Sequence, residues 1–179
     1  MKRLFYILVA LLILLVVLLL ASSARLYPVL KINNSFVWAS DYYDRFSGFE
    51  YYRLMTSEPI DEKTAVRGLI LSFIADSLVE DELLRRGADL REAEKRVKDA
   101  LMAGGVENLE KAAASLYGWD IEEFKKFSLF PQAREDILTE VLQKDGIDFD
   151  EWLLREMAKA DIKIYFLPHK WENGKLSEK

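Results

Sequence analysis

Hydrophobic and polar positions divide the chain into segments of different period. Leu4 to Ala21 is an unbroken apolar run. Between Arg25 and Val37 the pattern is short and β-like: Val29, Leu30 and Ile32, then Asn33-Asn34-Ser35, then Phe36-Val37. Asn tolerates positive φ, so the Asn pair predicts a tight turn between two strands. From Ser40 onward apolar residues recur at spacings of three and four, which predicts helices. Ser40 caps a helix through about Met55, ended by Glu58-Pro59. A second runs from Glu62 to Arg86 with Val66, Leu69, Ile70, Phe73, Ile74, Leu78 and Leu83 on one stripe, stopped by Gly87.

Punctuation predicts the remaining helices. Asp89-x-x-Glu92 reads as a capping box for a helix burying Leu90, Ala93, Val97 and Leu101, with Gly104-Gly105 as its stop. Another spans Val106 to Gly118. Asp120-x-x-Glu123 caps a short helix carrying Ile121, Phe124 and Phe127. Pro131 opens a separate helix with Ala133, Ile137, Val141 and Leu142 inward. Asp148-x-x-Glu151 caps the last, through Ala160, with Trp152, Leu153 and Met157 apolar. Ile162, Ile164 and Phe166 then alternate as a strand, and residues after Pro168 read as a loose polar tail.

The expected fold is mainly α. An N-terminal transmembrane helix precedes a compact multi-helix domain, with a short two- or three-stranded β element formed by its two ends. The boundaries are 1–24 for a membrane anchor or uncleaved signal, 25–167 for the helical domain, and 168–179 for the tail. Eighteen residues from Leu4 to Ala21 rise roughly 27 Å as a helix, close to the ~30 Å hydrocarbon core. Lys2 and Arg3 then stay cytoplasmic, so the chain is expected in the cell membrane as a single-pass protein. Residues 4–21 would meet the lipid bilayer and the bulk would be extracytoplasmic. Ser22-Ser23-Ala24 also offers small residues for signal cleavage, a competing reading that exports the same domain.

Charge sharpens this picture. Setting aside residues 1–24 removes Lys2 and Arg3 from the 25 basic residues and none of the 30 acidic ones. That leaves a net charge of −7 on the other 155 residues. Phosphate binding needs concentrated Lys and Arg, so nucleic acid is not an expected partner. The absence of cysteine rules out disulfides and thiolate zinc sites. The one histidine, His169, lies in the expected tail. No D-x-D-x-D-G, G-x-S-x-G, G-x-G-x-x-G or P-loop pattern occurs. No catalytic residue, cofactor or metal site is assigned, and an enzyme is not expected. Acidic groups such as Glu80-Asp81-Glu82 and Glu122-Glu123 read as solvated helix faces and caps. Asn33-Asn34-Ser35 matches a glycosylation acceptor, but a turn is the simpler role.

The unusual feature is aromatic. Eight rings fall in the 17 residues from Phe36 to Tyr52, against 12% aromatic residues overall. Trp38, Tyr42, Phe46 and Phe49 can share one helix face, while Tyr43, Tyr51 and Tyr52 lie largely off it. Such a helix is either sandwiched between layers or shows rings to solvent, where they would contact apolar or peptide ligands. Trp119, Phe124, Phe127 and Phe130 form a second group that could line an opposite wall. Trp38, Tyr42, Tyr43, Phe46, Phe49, Tyr51 and Tyr52 together with Trp119, Phe124 and Phe127 are the candidate peptide-binding set.

The segment from Leu69 to Leu101 resembles the long helix, Gly turn and next helix of the SurA N-terminal-like family of periplasmic chaperones. The matching positions are Leu78, Val79, Leu83, Leu84, Arg85, Arg86 and Gly87, with Glu94 and Val97 beyond. KINNSFVWASDYYDRF, residues 31–46, resembles that family's opening strand, turn and first helix, with Asn33-Asn34 in place of the usual Asn-Gly. YGWDIEEFKKF, residues 117–127, resembles its Gly-x-x-x-x-Glu-Phe helix start. The likeness covers roughly residues 29–167. Family members commonly continue into a parvulin-type prolyl isomerase domain, whereas 12 residues follow Leu167 here. The resemblance therefore implies a chaperone module alone, without isomerase activity, binding unfolded or newly exported polypeptides without nucleotide. The alternative is a membrane-tethered structural or adaptor protein whose aromatic patch docks one folded partner.

Overall fold

The computed structural model describes residues 2–56 and 61–179. Helix α1 covers Lys2–Ser23, and its described large apolar side chains are exposed. Among the described residues no helix is long and apolar enough to cross a membrane. The expectation of a transmembrane helix in the fold is withdrawn on that finding.

Three strands join the ends of the helical array. β1 (Pro28–Ile32) lies between β2 (Ser35–Trp38) and β3 (Ile162–Ile164), antiparallel to both. Ile32 pairs with Ser35, so Asn33-Asn34 makes the turn, with Asn33 at φ 52°. Leu30 faces Ile164 and Ile32 faces Ile162. Asn33 stitches the far end as well: its N–H donates to the Asp161 carbonyl at 2.8 Å, and its side-chain oxygen accepts from the Asp161 N–H at 3.2 Å. The expected strand through Phe166 stops short, because Phe166 turns to φ 57° and exposes 79% of its surface.

The helices are α2 (Ala39–Thr56), α3 (Glu62–Arg85), α4 (Arg91–Gly104), α5 (Val106–Tyr117), α6 (Ile121–Phe124), α7 (Phe130–Lys144) and α8 (Phe149–Lys159). α2 begins one residue before the expected cap Ser40. Glu58-Pro59, expected to end it, lie outside the described residues. Asp61, Asp120 and Asp148 each accept the backbone N–H three residues on, and Asp120 and Glu123 complete a reciprocal box. The expected box at Asp89 does not form: its carboxylate binds the backbone and guanidinium of Arg91, and Leu90 takes the cap position.

Two expected helices are one. α6 runs through a π-helical turn, Lys125–Leu129, into α7. Pro131 has no N–H and its ring presses on the carbonyl four residues back, so the regular ladder cannot pass there. Widening by one residue lets the Phe130 N–H reach the Lys125 carbonyl, five residues away.

The expected loose tail is instead a hairpin. β4 (His169–Glu172) pairs with β5 (Lys175–Glu178) around Asn173-Gly174, both at positive φ. Leu176 is buried in the core, and His169, paired across the hairpin with Glu178, is 7% exposed. Arg67 of α3 donates to the Leu176 carbonyl at 3.0 Å. The core itself centres on α3, with Ile70, Ile74 and Leu83 against Leu138 and Leu142 of α7 and Leu30 and Ile32 of β1. All seven are at most 1% exposed, so the sheet and the helices share one interior.

Candidate functional site

α2 decides where the aromatic residues go, because it is sandwiched. One face carries Tyr42, which stacks on Phe46 and Phe73 with ring centroids 6.3 Å apart in each case. Tyr42 is 3% exposed and burial pushes its hydroxyl pKa up to about 12. It belongs to the core, not to a binding surface. Tyr43 and Phe46 are half-buried against that core, and the Arg25 guanidinium lies 5.1 Å from the centre of the Tyr43 ring. The other face meets α5 and the segment after it. Tyr52 stacks on Tyr117 at 5.5 Å, and Tyr117 stacks on Trp119 at 4.7 Å. Phe124 packs on Tyr117 at 6.4 Å and Phe127 on Trp119 at 5.4 Å. Tyr51 covers Gly118. Trp38 stands apart on β2 beside Phe36; the two are 44% and 49% exposed.

Gly48 makes the ladder possible. A Cβ at this position would lie 2.1 Å from the Trp119 indole, so only glycine lets the ring rest on the α2 backbone. Trp119 Nε1 then donates to the Asp44 carbonyl at 3.3 Å.

Two open clefts flank this packing. The first, about 600 Å³, lies between β2, α2, α3 and the π turn, with Phe36, Phe73, Phe127 and Phe130 in its walls. The second, about 410 Å³, has Ala65, Gly68 and Leu69 of α3 on one side and Phe49, Tyr117, Trp119 and Phe127 among its rings. Arg45 and Phe127 border both clefts. Arg45 is the ridge: its guanidinium sits 5.0 Å from the Phe73 ring centre and binds the Asp76 carboxylate at 2.6 Å. Of the ten candidate residues, Phe49, Trp119 and Phe127 line a cleft; Tyr52 and Phe124 support those rings through Tyr117.

Charged residues complete the first cleft, and sequence reading treated their kind as plain surface. Arg45–Asp76 joins α2 to α3, Lys126–Asp41 joins the π turn to α2, and Arg134–Glu80 joins α7 to α3 at 2.8 Å. Burial raises the Asp76 pKa above the ordinary 3.8, against the pull of Arg45 and Arg134. Asp81 accepts from Asn33 Nδ2 at 3.2 Å, and Glu122 pairs with Lys125 at 2.6 Å. The available signal was spacing: Asp41, Arg45 and Phe49, like Asp76 and Glu80, share a helix face at intervals of four. Among the described residues no group of three or more His, Asp or Glu side chains could hold a metal ion.

No family model matches the chain, and no curated protein and no solved structure matches it.

Proposed function

We propose that this protein is a chaperone-type module that holds unfolded polypeptide segments without nucleotide. The observation that carries this reading is the pair of open clefts that meet at Arg45 and Phe127, walled by aromatic rings of which Phe36 is exposed and Phe49, Tyr117 and Phe130 are half-buried. Rings of this kind contribute large contact area at small entropic cost, and they accept many apolar side chains. A net charge of −5 would keep a loaded complex soluble. The resemblance of residues 69–101 to a periplasmic chaperone family points the same way.

The test is aggregation suppression by the full chain on two unrelated unfolded proteins, with no nucleotide added. Suppression of both is expected. It should weaken when Phe49 and Tyr117 are replaced by Ser, provided the fold survives. Indifference to both clients, with stoichiometric capture of a single folded protein, would replace this reading with the adaptor.

A further inference from the structure

β2 is an edge strand with one neighbour. The sheet order β2-β1-β3 leaves its outer side open, and among the described residues no hydrogen bond ties Ser35, Phe36 or Val37 to anything beyond β1. Natural proteins blunt such edges with charge, proline or a covering element, because unpaired N–H and C=O groups template another strand. Here the edge carries two exposed rings, Phe36 and Trp38, and Ser35, Phe36 and Val37 form one wall of the first cleft. A strand laid along this edge would therefore send alternate side chains toward the cleft.

The charge of the cleft selects among such strands. Its three cations, Arg45, Lys126 and Arg134, are each already paired with a carboxylate across the cleft. Asp81 and Glu122 remain beyond those pairs; among the described residues Glu122 pairs with Lys125 and Asp81 accepts from the Asn33 amide. The wall is thus short of positive charge, and a Lys or Arg side chain entering it would find a carboxylate.

We propose, resting on the chaperone reading above, that a client segment docks by adding a strand to the free edge of β2, and that the preferred segment is an extended peptide alternating apolar with Lys or Arg residues. Backbone pairing supplies affinity for many sequences, and the acidic wall supplies the bias.

Four fluorescent eight-residue probes test this with the full chain: alternating Val-Lys, alternating Val-Glu, and two Val-Lys peptides, each with a different alternate set of backbone nitrogens methylated. The Val-Lys probe should bind about tenfold tighter than Val-Glu, the difference shrinking with added salt and with Asp81→Asn. An added strand points only one alternate set of N–H groups at β2. Methylating that set should weaken binding about tenfold, and methylating the other set should leave it unchanged. Equal binding of both methylated probes overturns strand addition, as does no probe binding at all. Equal binding of Val-Lys and Val-Glu overturns the charge bias. Probe binding competed by dimerisation of the protein assigns the edge to a second copy and overturns the client assignment. Aggregation suppression run in parallel separates the two ideas: if it persists while the methylated probes bind alike, only the strand-addition proposal fails.

Discussion

At Gly48 a missing side chain organises more of the site than any ring does. Gly48→Ala should force the Trp119 indole off α2, because the new Cβ would overlap it. Overpacking of this kind costs about 1–3 kcal/mol, more than the ~1 kcal/mol of helix propensity that alanine gains. A lowered melting temperature with altered tryptophan fluorescence is expected, and an unchanged melt would refute the close contact. His169 gives a second residue-scale prediction. Burial holds its pKa below the ordinary 6.5; Glu178 opposes this, while Arg67, Lys179 and Lys63 reinforce it. The folded state therefore prefers the neutral ring, and the unfolded state binds a proton first as pH falls. The stability this contributes is complete above pH 6.5 and is lost as pH falls from 6.5 through the depressed value. The protein should lose more melting temperature between pH 7.5 and 5.5 than its His169→Gln variant; equal losses would remove His169 from the account. Neither role was legible in full. A glycine inside an aromatic helix was a visible signal at Gly48, but what fills the space above it comes from Trp119, 71 positions on in the same chain.

At the scale of elements, legibility followed how local the cause is. Capping at Asp120 and Asp148 needs only the residue three positions on, and both caps are present. Asp89 shows the same letters with another outcome, because Arg91 offers its carboxylate a nearer guanidinium and N–H. The π turn was hidden for a related reason: Pro131 reads equally as a helix start or as an obstacle inside a longer helix. The C-terminal hairpin was readable but unread, since Asn173-Gly174 between Trp171 and Leu176 is a strong hairpin signal. These differences predict a contrast. Asp120→Ala removes the carboxylate that accepts the Glu123 N–H in a cap that leads into the π turn, and should cost about 1 kcal/mol. Asp89→Ala removes an exposed ion pair and the acceptor of the Arg91 N–H, with no reciprocal box, and should cost less. Chemical denaturation of the two variants in parallel measures the difference, and equal losses would show that the box at Asp120 adds nothing.

For the whole molecule, the question is what closes the helical array. The alternation of Val29–Ile32 and of Ile162–Ile164 made a pairing of the two ends legible, and β1 does lie beside β3. The array does not finish there, because the hairpin beyond it buries Leu176 in the common core and draws Arg67 of α3 onto the Leu176 carbonyl. Gly174 fits tightly against Ala158 of α8, where a Cβ would come within 2.9 Å of the backbone. The last twelve residues are therefore a structural clasp over α3 and α8, and none of them lines the first cleft. Deleting residues 168–179 exposes the surface that Leu176 covers, and burial of one such side chain contributes about 1.5–3 kcal/mol. The truncated protein should melt well below the full chain yet bind the Val-Lys probe with unchanged affinity at a temperature where it remains folded. An unchanged melt would show that the hairpin is only laid on the surface. Lost probe binding in the folded truncation would instead couple the clasp to the cleft through α3, which touches both.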